Sequence, residues 1–412
     1  MTSIVKTYSH NHGAASIPNQ HPLKRTVFLK IDNLVLNYQK LTIVKDLSLS
    51  IYKEEIVCLL GPSGCGKTTL LKALAGFIAP SRGRICLYDK PISTAEHLVP
   101  PAARNITMVF QDLALFPHMT VKENIMVAMK NSRARTQKNR LDTLITALKL
   151  EHVINKYPHL ISGGEQQRTA LARALAPKPP LILLDEPLSS QDVELKQKLQ
   201  FSLKLLLKEE KITTIFVTHD QDEAFALSDK MGVLHNQTLE QYGTPYEVYY
   251  QPASRFIADF IGKGTLINGI IEEGILISEF GRIKKFQLVT RSHTSQATSV
   301  TTSPQKTNTP NQYSHTHAPS STPVSQPSPH EPYKRKSLNV KLLVRPDDVQ
   351  LDNRSAIRAH ITQIIFQGSH FLYVLKLNSG TELLSLMPSI YRYNIGEEVG
   401  IAFSFQRIIV FT

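Results

Sequence analysis

The spacing of apolar and polar residues along the 412-residue chain changes character several times. V-F-L-K-I-D-N-L-V-L, starting at Val27, alternates as a half-buried strand does. I-V-C-L-L (56–60), L-I-L-L (181–184) and T-I-F-V-T (214–218) are short, continuous apolar runs. Runs of that kind predict strands buried on both faces, as in a parallel sheet covered by helices. Helix-like segments lie between them, L-L-K-A-L-A-G from Leu70 and Q-Q-R-T-A-L-A-R-A-L-A from Gln166. The alternation predicts an α/β core over residues 27–264.

Beyond it the pattern shortens. L-Y-V-L-K-L (372–377) and V-G-I-A-F-S-F (399–405), with turn residues between them, predict a small β domain over 265–412. Residues 291–337 interrupt it with Ser, Thr, Pro, Gln and Asn. Such a stretch cannot bury enough apolar surface to offset its ordering entropy, so a disordered insertion is expected. His293, His315, His317 and His330 fall within it at irregular spacing and read as solvated linker side chains. Residues 1–26 are polar and read as a flexible N-terminal arm.

Composition narrows the classes. No segment approaches the ~20 apolar residues of a membrane span, and the first residues lack the apolar core of an export signal. Cys58, Cys65 and Cys86 are too few and too scattered for a disulfide framework or a zinc site. The formal charge of +13 points to an anionic partner, nucleic acid or a membrane surface, or to a basic soluble surface.

The chemistry begins at G-P-S-G-C-G-K-T-T, residues 61–69, between an apolar strand and a helix. It matches G-x-x-x-x-G-K-[ST] through Gly61, Gly66, Lys67 and Thr68. Backbone N–H groups from Gly61 through Thr69, with Ser63, Gly64 and Cys65 in the loop, can close around a phosphate chain at a helix start. Lys67 can reach the β- and γ-phosphates and Thr68 can ligate Mg²⁺. In L-I-L-L-D-E-P (181–187), Asp185 ends a strand where an open α/β sheet binds ligand, and suits the Mg²⁺ shell. Glu186 follows, placed to orient or activate water. These parts specify a nucleoside triphosphate hydrolase without saying which kind.

A second glycine motif, I-S-G-G-E-Q-Q-R (161–168), also opens a helix. Ser162 and Glu165 satisfy S-x-x-E, a capping box, so the residues alone do not separate a structural cap from an anion site. The stretch resembles the signature motif of ABC transporter ATPases, and the rest of that family's set follows in order. Tyr38 stands where the family has its adenine-stacking aromatic; base stacking on an aromatic is worth roughly 1–3 kcal/mol. Gln111 in V-F-Q-D matches the glutamine loop, L-S-S-Q-D (188–192) the loop that crosses the dimer, and His219 in V-T-H-D the switch histidine.

The resemblance implies an ABC ATPase with a RecA-like core and a helical subdomain about 118–176, followed by an OB-like β domain. It implies ATP and Mg²⁺ as ligands, with Thr68, Gln111 and Asp185 on the metal and Glu186, His219 and Gln111 as catalytic residues. It implies a head-to-tail pair with a second copy of the chain, in which Ser162, Gly163 and Gly164 bind the partner's γ-phosphate in trans. Three departures stand out: Gln191 and Ile161 where the family usually has leucine, and K-E-E (53–55) in place of a common K-G-E turn.

With no membrane span, such a subunit is expected to act on separate permease subunits, with Leu115 and Phe116 suited to docking them or to packing in the helical core. V-R-P-D-D-V (344–349) resembles the transport-associated OB-fold (TOBE) domain of importer ATPases, and residues 240–262 match the same group. R-N-I-T-M-V-F-Q-D-L-A-L-F-P-H-M-T-V and F-Q-G-S-H-F-L-Y-V-L-K-L look most like ferric iron importers; polyamine, thiamine, sulfate, molybdate and sugar importers share the plan. The expectation is an energy-coupling subunit peripheral to the cytoplasmic face of the inner membrane. Its permease would be served by a periplasmic or surface substrate-binding protein, and no nucleic acid is expected as partner. A soluble ABC ATPase acting on ribosomes or DNA is the alternative from another class.

Overall fold

The computed structural model describes residues 26–39, 41–129, 134–284, 286–289, 337–405 and 408–412. The expected N-terminal arm lies outside the described residues apart from Thr26, and the expected insertion apart from Ser337. The chain divides into two compact units between Gly262 and Lys263.

The first unit opens with two long strands, β1 (Val27–Tyr38) and β2 (Leu41–Tyr52), paired antiparallel. β3 (Ile56–Leu60) follows, then the phosphate loop and helix α1 (Lys67–Ala75). β4 (Arg82–Leu87) and β5 (Lys90–Ser93) join the first two strands in a four-stranded sheet of order β2-β1-β4-β5. Next come β6 (Ile106–Val109), α2 (Val121–Met126), α3 (Ala134–Leu148), α4 (Gly163–Leu175) and β7 (Leu181–Asp185). α5 (Val193–Glu209), β8 (Thr213–Thr218), α6 (Gln221–Leu227), β9 (Lys230–His235), β10 (Thr238–Gly243), α7 (Pro245–Tyr250) and α8 (Arg255–Phe260) complete the unit.

The second sheet runs β10-β9-β3-β8-β7-β6, and from β9 to β6 every pairing is parallel. Every residue of β3, β7 and β8 is buried, which is why those strands read as unbroken apolar runs. Alternate residues feed different cores. Ile56, Cys58, Leu60, Ile182 and Leu184 pack with Val121, Ile125, Leu144, Leu148 and Leu171 of α2, α3 and α4. Val57, Leu59, Leu181 and Leu183 pack with Leu70, Leu71 and Leu74 of α1 and with β1 and β2.

The K-E-E turn keeps a glycine-like geometry. Glu54 adopts φ 64, and its N–H donates to Thr213 Oγ1 at 3.0 Å.

Among its described residues the second unit is all β apart from one 3₁₀ turn at Pro346–Asp348. Its strands are β11 (Thr265–Glu272), β12 (Ile275–Ser278), β13 (Gly281–Ile283), β14 (Gln287–Val289), β15 (Leu338–Val344), β16 (Val349–Leu351), β17 (Arg358–Phe366), β18 (His370–Leu377), β19 (Glu382–Pro388), β20 (Glu398–Phe403) and β21 (Ile409–Phe411). They form sheets of order β13-β12-β11-β15-β21-β14 and β16-β20-β17-β18-β19 around one core, with Leu342, Tyr373, Ile401 and Val410 among its buried members. β11 pairs antiparallel with β15, so segments from both sides of the expected insertion share one sheet.

Candidate functional site

Parallel strands deliver the site. β3, β8, β7 and β6 are adjacent and run the same way, so their C-terminal ends form one edge. Leu60 pairs with Thr218, Leu184 with Phe216, and Val109 with Leu184. Just past those ends come Gly61, His219, Glu186 and Gln111, with Asp185 the last residue of β7. Four separate stretches of sequence thus converge because of strand order and direction, at the edge where open α/β sheets bind ligands.

The phosphate loop leads into α1 without a side-chain cap. Gly66 occupies the N-cap at φ 97, and a Cβ there would lie 2.9 Å from Ile43 Cγ2, so a side-chain-bearing residue is excluded twice over. No acidic residue stands in the first turn. Gly61 and Cys65 are buried, Ser63 and Gly64 exposed, and Thr69 half-buried. Lys67 Nζ donates to the carbonyls of Gly61 at 2.7 Å and Pro62 at 2.9 Å, which holds the ammonium over its own loop.

Thr68 Oγ1 donates to Asp185 Oδ1 at 3.2 Å, joining the loop to the end of β7. Asp185 is 4% exposed. Burial pushes its carboxyl above the ordinary range and the Glu186 charge adds to this, while the Thr68 bond, Lys72 and Lys67 oppose it. A buried carboxylate beside a threonine hydroxyl is an oxygen pair whose charge calls for a cation, and it fits hard-ion ligation completed by phosphate and water.

Glu186 stands in the left-handed backbone region at φ 52, a conformation costing a non-glycine residue about 1–2 kcal/mol. Its N–H donates to Val217 O at 3.0 Å, which holds the turn against β8. The strained turn brings Oε1 to 2.9 Å from His219 Nδ1. The His219 side chain is 65% exposed. Gln111 is exposed beyond β6, and Tyr38 is 67% exposed at the end of β1, cross-strand from exposed Leu41.

The signature residues sit at a different helix start. Ser162 caps α4 in a full capping box: Glu165 N–H donates to Ser162 Oγ at 3.3 Å, and Ser162 N–H to Glu165 Oε2 at 2.7 Å. Burial works to raise the Glu165 pKa, but the Ser162 backbone and hydroxyl bonds and His152 Nε2 at 2.6 Å outweigh it and hold the carboxyl near about 2. Gly163 has open space around it. At Gly164 a Cβ would lie 2.9 Å from Gln191 Oε1 and 3.0 Å from Ser190 O, so glycine lets the 188–192 loop approach. A groove of about 670 Å³ lies here, lined by Ser162, Gly163, Gly164, His152, Lys149 and Arg168, among others.

Within one chain, the structure brings Lys67, Thr68, Asp185, Glu186 and His219 together through direct bonds or adjacent strand ends. Ser162 instead bonds to Glu165 in the α4 cap, and Gly164 O accepts from Gln191 Nε2 of the 188–192 loop. Leu115 is half-buried against the helical core, whereas Phe116 is 41% exposed with the Arg173 guanidinium 5.5 Å from its ring centre.

One residue escaped the sequence reading. Gln167, 4% exposed, donates Nε2 to the Glu186 carbonyl at 2.8 Å and accepts from Ser190 N–H at 3.2 Å. A polar residue on the buried side of an apolar helix was the available signal.

Residues 44–189 match the ABC transporter family model and residues 342–411 the TOBE domain model. A spermidine/putrescine import ATP-binding protein of Marinobacter nauticus is 33% identical over 396 residues, covering 92% of this chain and 94% of that protein. One from Acetivibrio thermocellus is 39% identical over 263 residues, covering 63% and 74%. A Fe(3+) ions import ATP-binding protein of Fusobacterium nucleatum is 40% identical over 253 residues, covering 61% and 67%. With the Marinobacter relative aligned over nearly its whole length and both domain models matched in order, the chain belongs to the importer-type ABC transporter ATP-binding proteins that carry a C-terminal TOBE domain.

Proposed function

We propose that the chain binds ATP with Mg²⁺ at the strand-end site, hydrolyses it, and drives import through membrane permease subunits. The observation that carries this is the pair of bonds flanking Asp185–Glu186: Thr68 to Asp185 on one side, Glu186 to His219 on the other. The phosphate loop and Lys67 hold the triphosphate; Thr68, Asp185 and Gln111 hold the metal, which neutralises phosphate charge. Glu186 takes a proton from the attacking water, and His219 fixes that carboxylate and contacts the γ-phosphate. Tyr38 stacks on adenine.

Ser162, Gly163 and Gly164 act on the ATP of a second copy, so that two chains associate head to tail over two nucleotides. Hydrolysis removes the γ-phosphate contacts and releases the pair. Among the described residues no helix is long and apolar enough to cross a membrane. The proposed place is peripheral, at the cytoplasmic face of the inner membrane, with a binding protein delivering cargo to the permease.

For cargo, polyamine is the first reading, because the Marinobacter relative, which aligns across both units, carries that name. Ferric iron is the second, favoured by the Fusobacterium relative. The test is reconstitution of the chain with permease subunits and a substrate-binding protein from the same cell. ATP hydrolysis stimulated by spermidine or putrescine supports the first cargo, stimulation by ferric ion the second. No stimulation by any loaded binding protein would overturn the coupling role.

A further inference from the structure

The turn that carries His219 is tied to the point where the chain leaves the first unit. Gln221, two residues on, opens α6 and is half-buried. Its amide is used at both ends: Nε2 donates to Phe260 O, and Oε1 accepts from Gly262 N–H at 3.0 Å. Gly262 is the last residue of the first unit. It stands at φ 81, and a Cβ there would lie 2.5 Å from Tyr249 Cε2, so glycine is what lets Tyr249 cover it. Tyr249 in turn meets Phe225 of α6 edge to face, with ring centres 6.1 Å apart. Ala224 and Leu227 of α6 share a core with Ile257 and Ile261. Hydrogen bonds to backbone groups 39 and 41 positions away, with these contacts from the same helix, fix α6 to residues 260–262. The other side of the turn is pinned as well. Thr218 Oγ1 donates to Glu223 Oε2 at 2.7 Å and accepts from Asp220 N–H at 3.1 Å. Asp220 caps α6 by accepting from Glu223 N–H at 3.1 Å, and Lys196 Nζ of α5 donates to Asp220 Oδ2 at 2.6 Å. Residues 218–221 are therefore held as one piece with the start of α6.

We infer that Gln221 is a positioning residue: it sets His219 from the backbone at 260–262 and registers the nucleotide state of the strand-end site at Gly262. The inference rests on the reading above, in which His219 contacts the γ-phosphate and holds Glu186. The His219 side chain is 65% exposed, so its place depends on the turn beneath it more than on packing. When phosphate fixes His219, the piece 218–221 is fixed with it, and the bond from Gly262 N–H to Gln221 opens less often. When the phosphate leaves, the piece regains its freedom and that bond opens more often. The path is short: one residue separates His219 from Gln221, and the next step is a direct bond.

Two variants of the full chain test this. Gln221→Met keeps the length of the side chain and removes both bonds. Gln221→Glu keeps an acceptor for Gly262 N–H and sets an oxygen against Phe260 O. In ATP hydrolysis, Gln221→Met should lose about five-fold in kcat, the rate equivalent of one hydrogen bond, with KM within about two-fold. Amide hydrogen exchange at Gly262 is then followed with and without a non-hydrolysable ATP analogue and Mg²⁺. In wild type the analogue should slow exchange at Gly262 about five-fold. In Gln221→Met exchange there should be fast and equal in the two states. Gln221→Glu, which retains one bond, should lie between the two in both measurements. A merely structural clamp gives a wild-type Gly262 that exchanges equally with and without the analogue. That result would overturn the proposal, as would wild-type kcat in Gln221→Met. The phosphate-loop amides, residues 61–69, read in the same experiment, tell the failures apart. Slowed by the analogue, they leave the ATP-site reading standing; unchanged, they remove it and the proposal with it.

Discussion

Two helices of this protein begin at glycine-rich turns, and they are built for opposite relations to an anion. α1 starts at Gly66 with no side-chain cap, no acid in its first turn and Lys67 at its first position. Its leading N–H groups and positive end are left for a ligand. α4 starts at Ser162 with a closed capping box, and the Glu165 carboxylate stands in its first turn. That charge is held ionised and satisfies the helix start from within. The same box closes α2 through Thr120–Glu123 and α7 through Thr244–Glu247. A helix start already satisfied can add contacts to a phosphate held elsewhere but is poorly suited to hold one alone. On the proposed reading, the difference assigns α1 the half of the site that holds the phosphate and α4 the half that closes over the nucleotide of a second copy.

The largest effect should come from the residue that serves the held nucleotide. Glu186→Gln should lower hydrolysis by about 10²- to 10⁴-fold, the contribution of a positioned general base, while the ATP-bound chain accumulates as a dimer in sizing experiments. Full turnover by this variant would remove Glu186 from the site.

Lys67→Ala should weaken ATP binding to the isolated chain by about 10- to 100-fold, the loss of a charge-assisted bond, as read by equilibrium dialysis. Ser162→Ala breaks the comparison if it does the same. It should instead leave ATP affinity of the isolated chain unchanged, lower stability by about 1 kcal/mol through the lost cap, and weaken ATP-dependent pairing.

The smallest effect is on pH. Glu165 has a folded pKa near about 2 against an ordinary value of 4.5, so its stabilising contribution is complete above the higher value and disappears as pH falls through the lower. Comparing thermal midpoints of wild type and Glu165→Gln, the advantage of wild type should shrink between about pH 5 and about pH 2. A gap independent of pH would show that the charge plays no part in closing α4.

Much of this was legible in residues alone. Unbroken apolar runs mark strands buried on two faces, and the phosphate loop and D-E-P ends are recognisable because each sits at a strand terminus. Tertiary bonds were less legible. The left-handed turns at Glu54 and Glu186 use residues that do not announce positive φ. Leu115 and Phe116 are neighbours of similar character, yet packing buries one more than the other. Gln191 reads as a mild departure until Gly164, Gln167 and Arg168 are found around its amide. Those partners lie 23 to 27 positions away in sequence, beyond the reach of periodicity.

The contrast between the two helix starts is tested most directly by mixing a Ser162→Arg chain with a Lys67→Ala chain and measuring ATP hydrolysis. Paired with its own kind, each variant has no complete site, because every site lacks either its signature half or its loop half. A mixed pair joins the intact loop of the first to the intact signature of the second. The account predicts activity in the mixture well above that of either variant alone; a mixture as inactive as its components would contradict it.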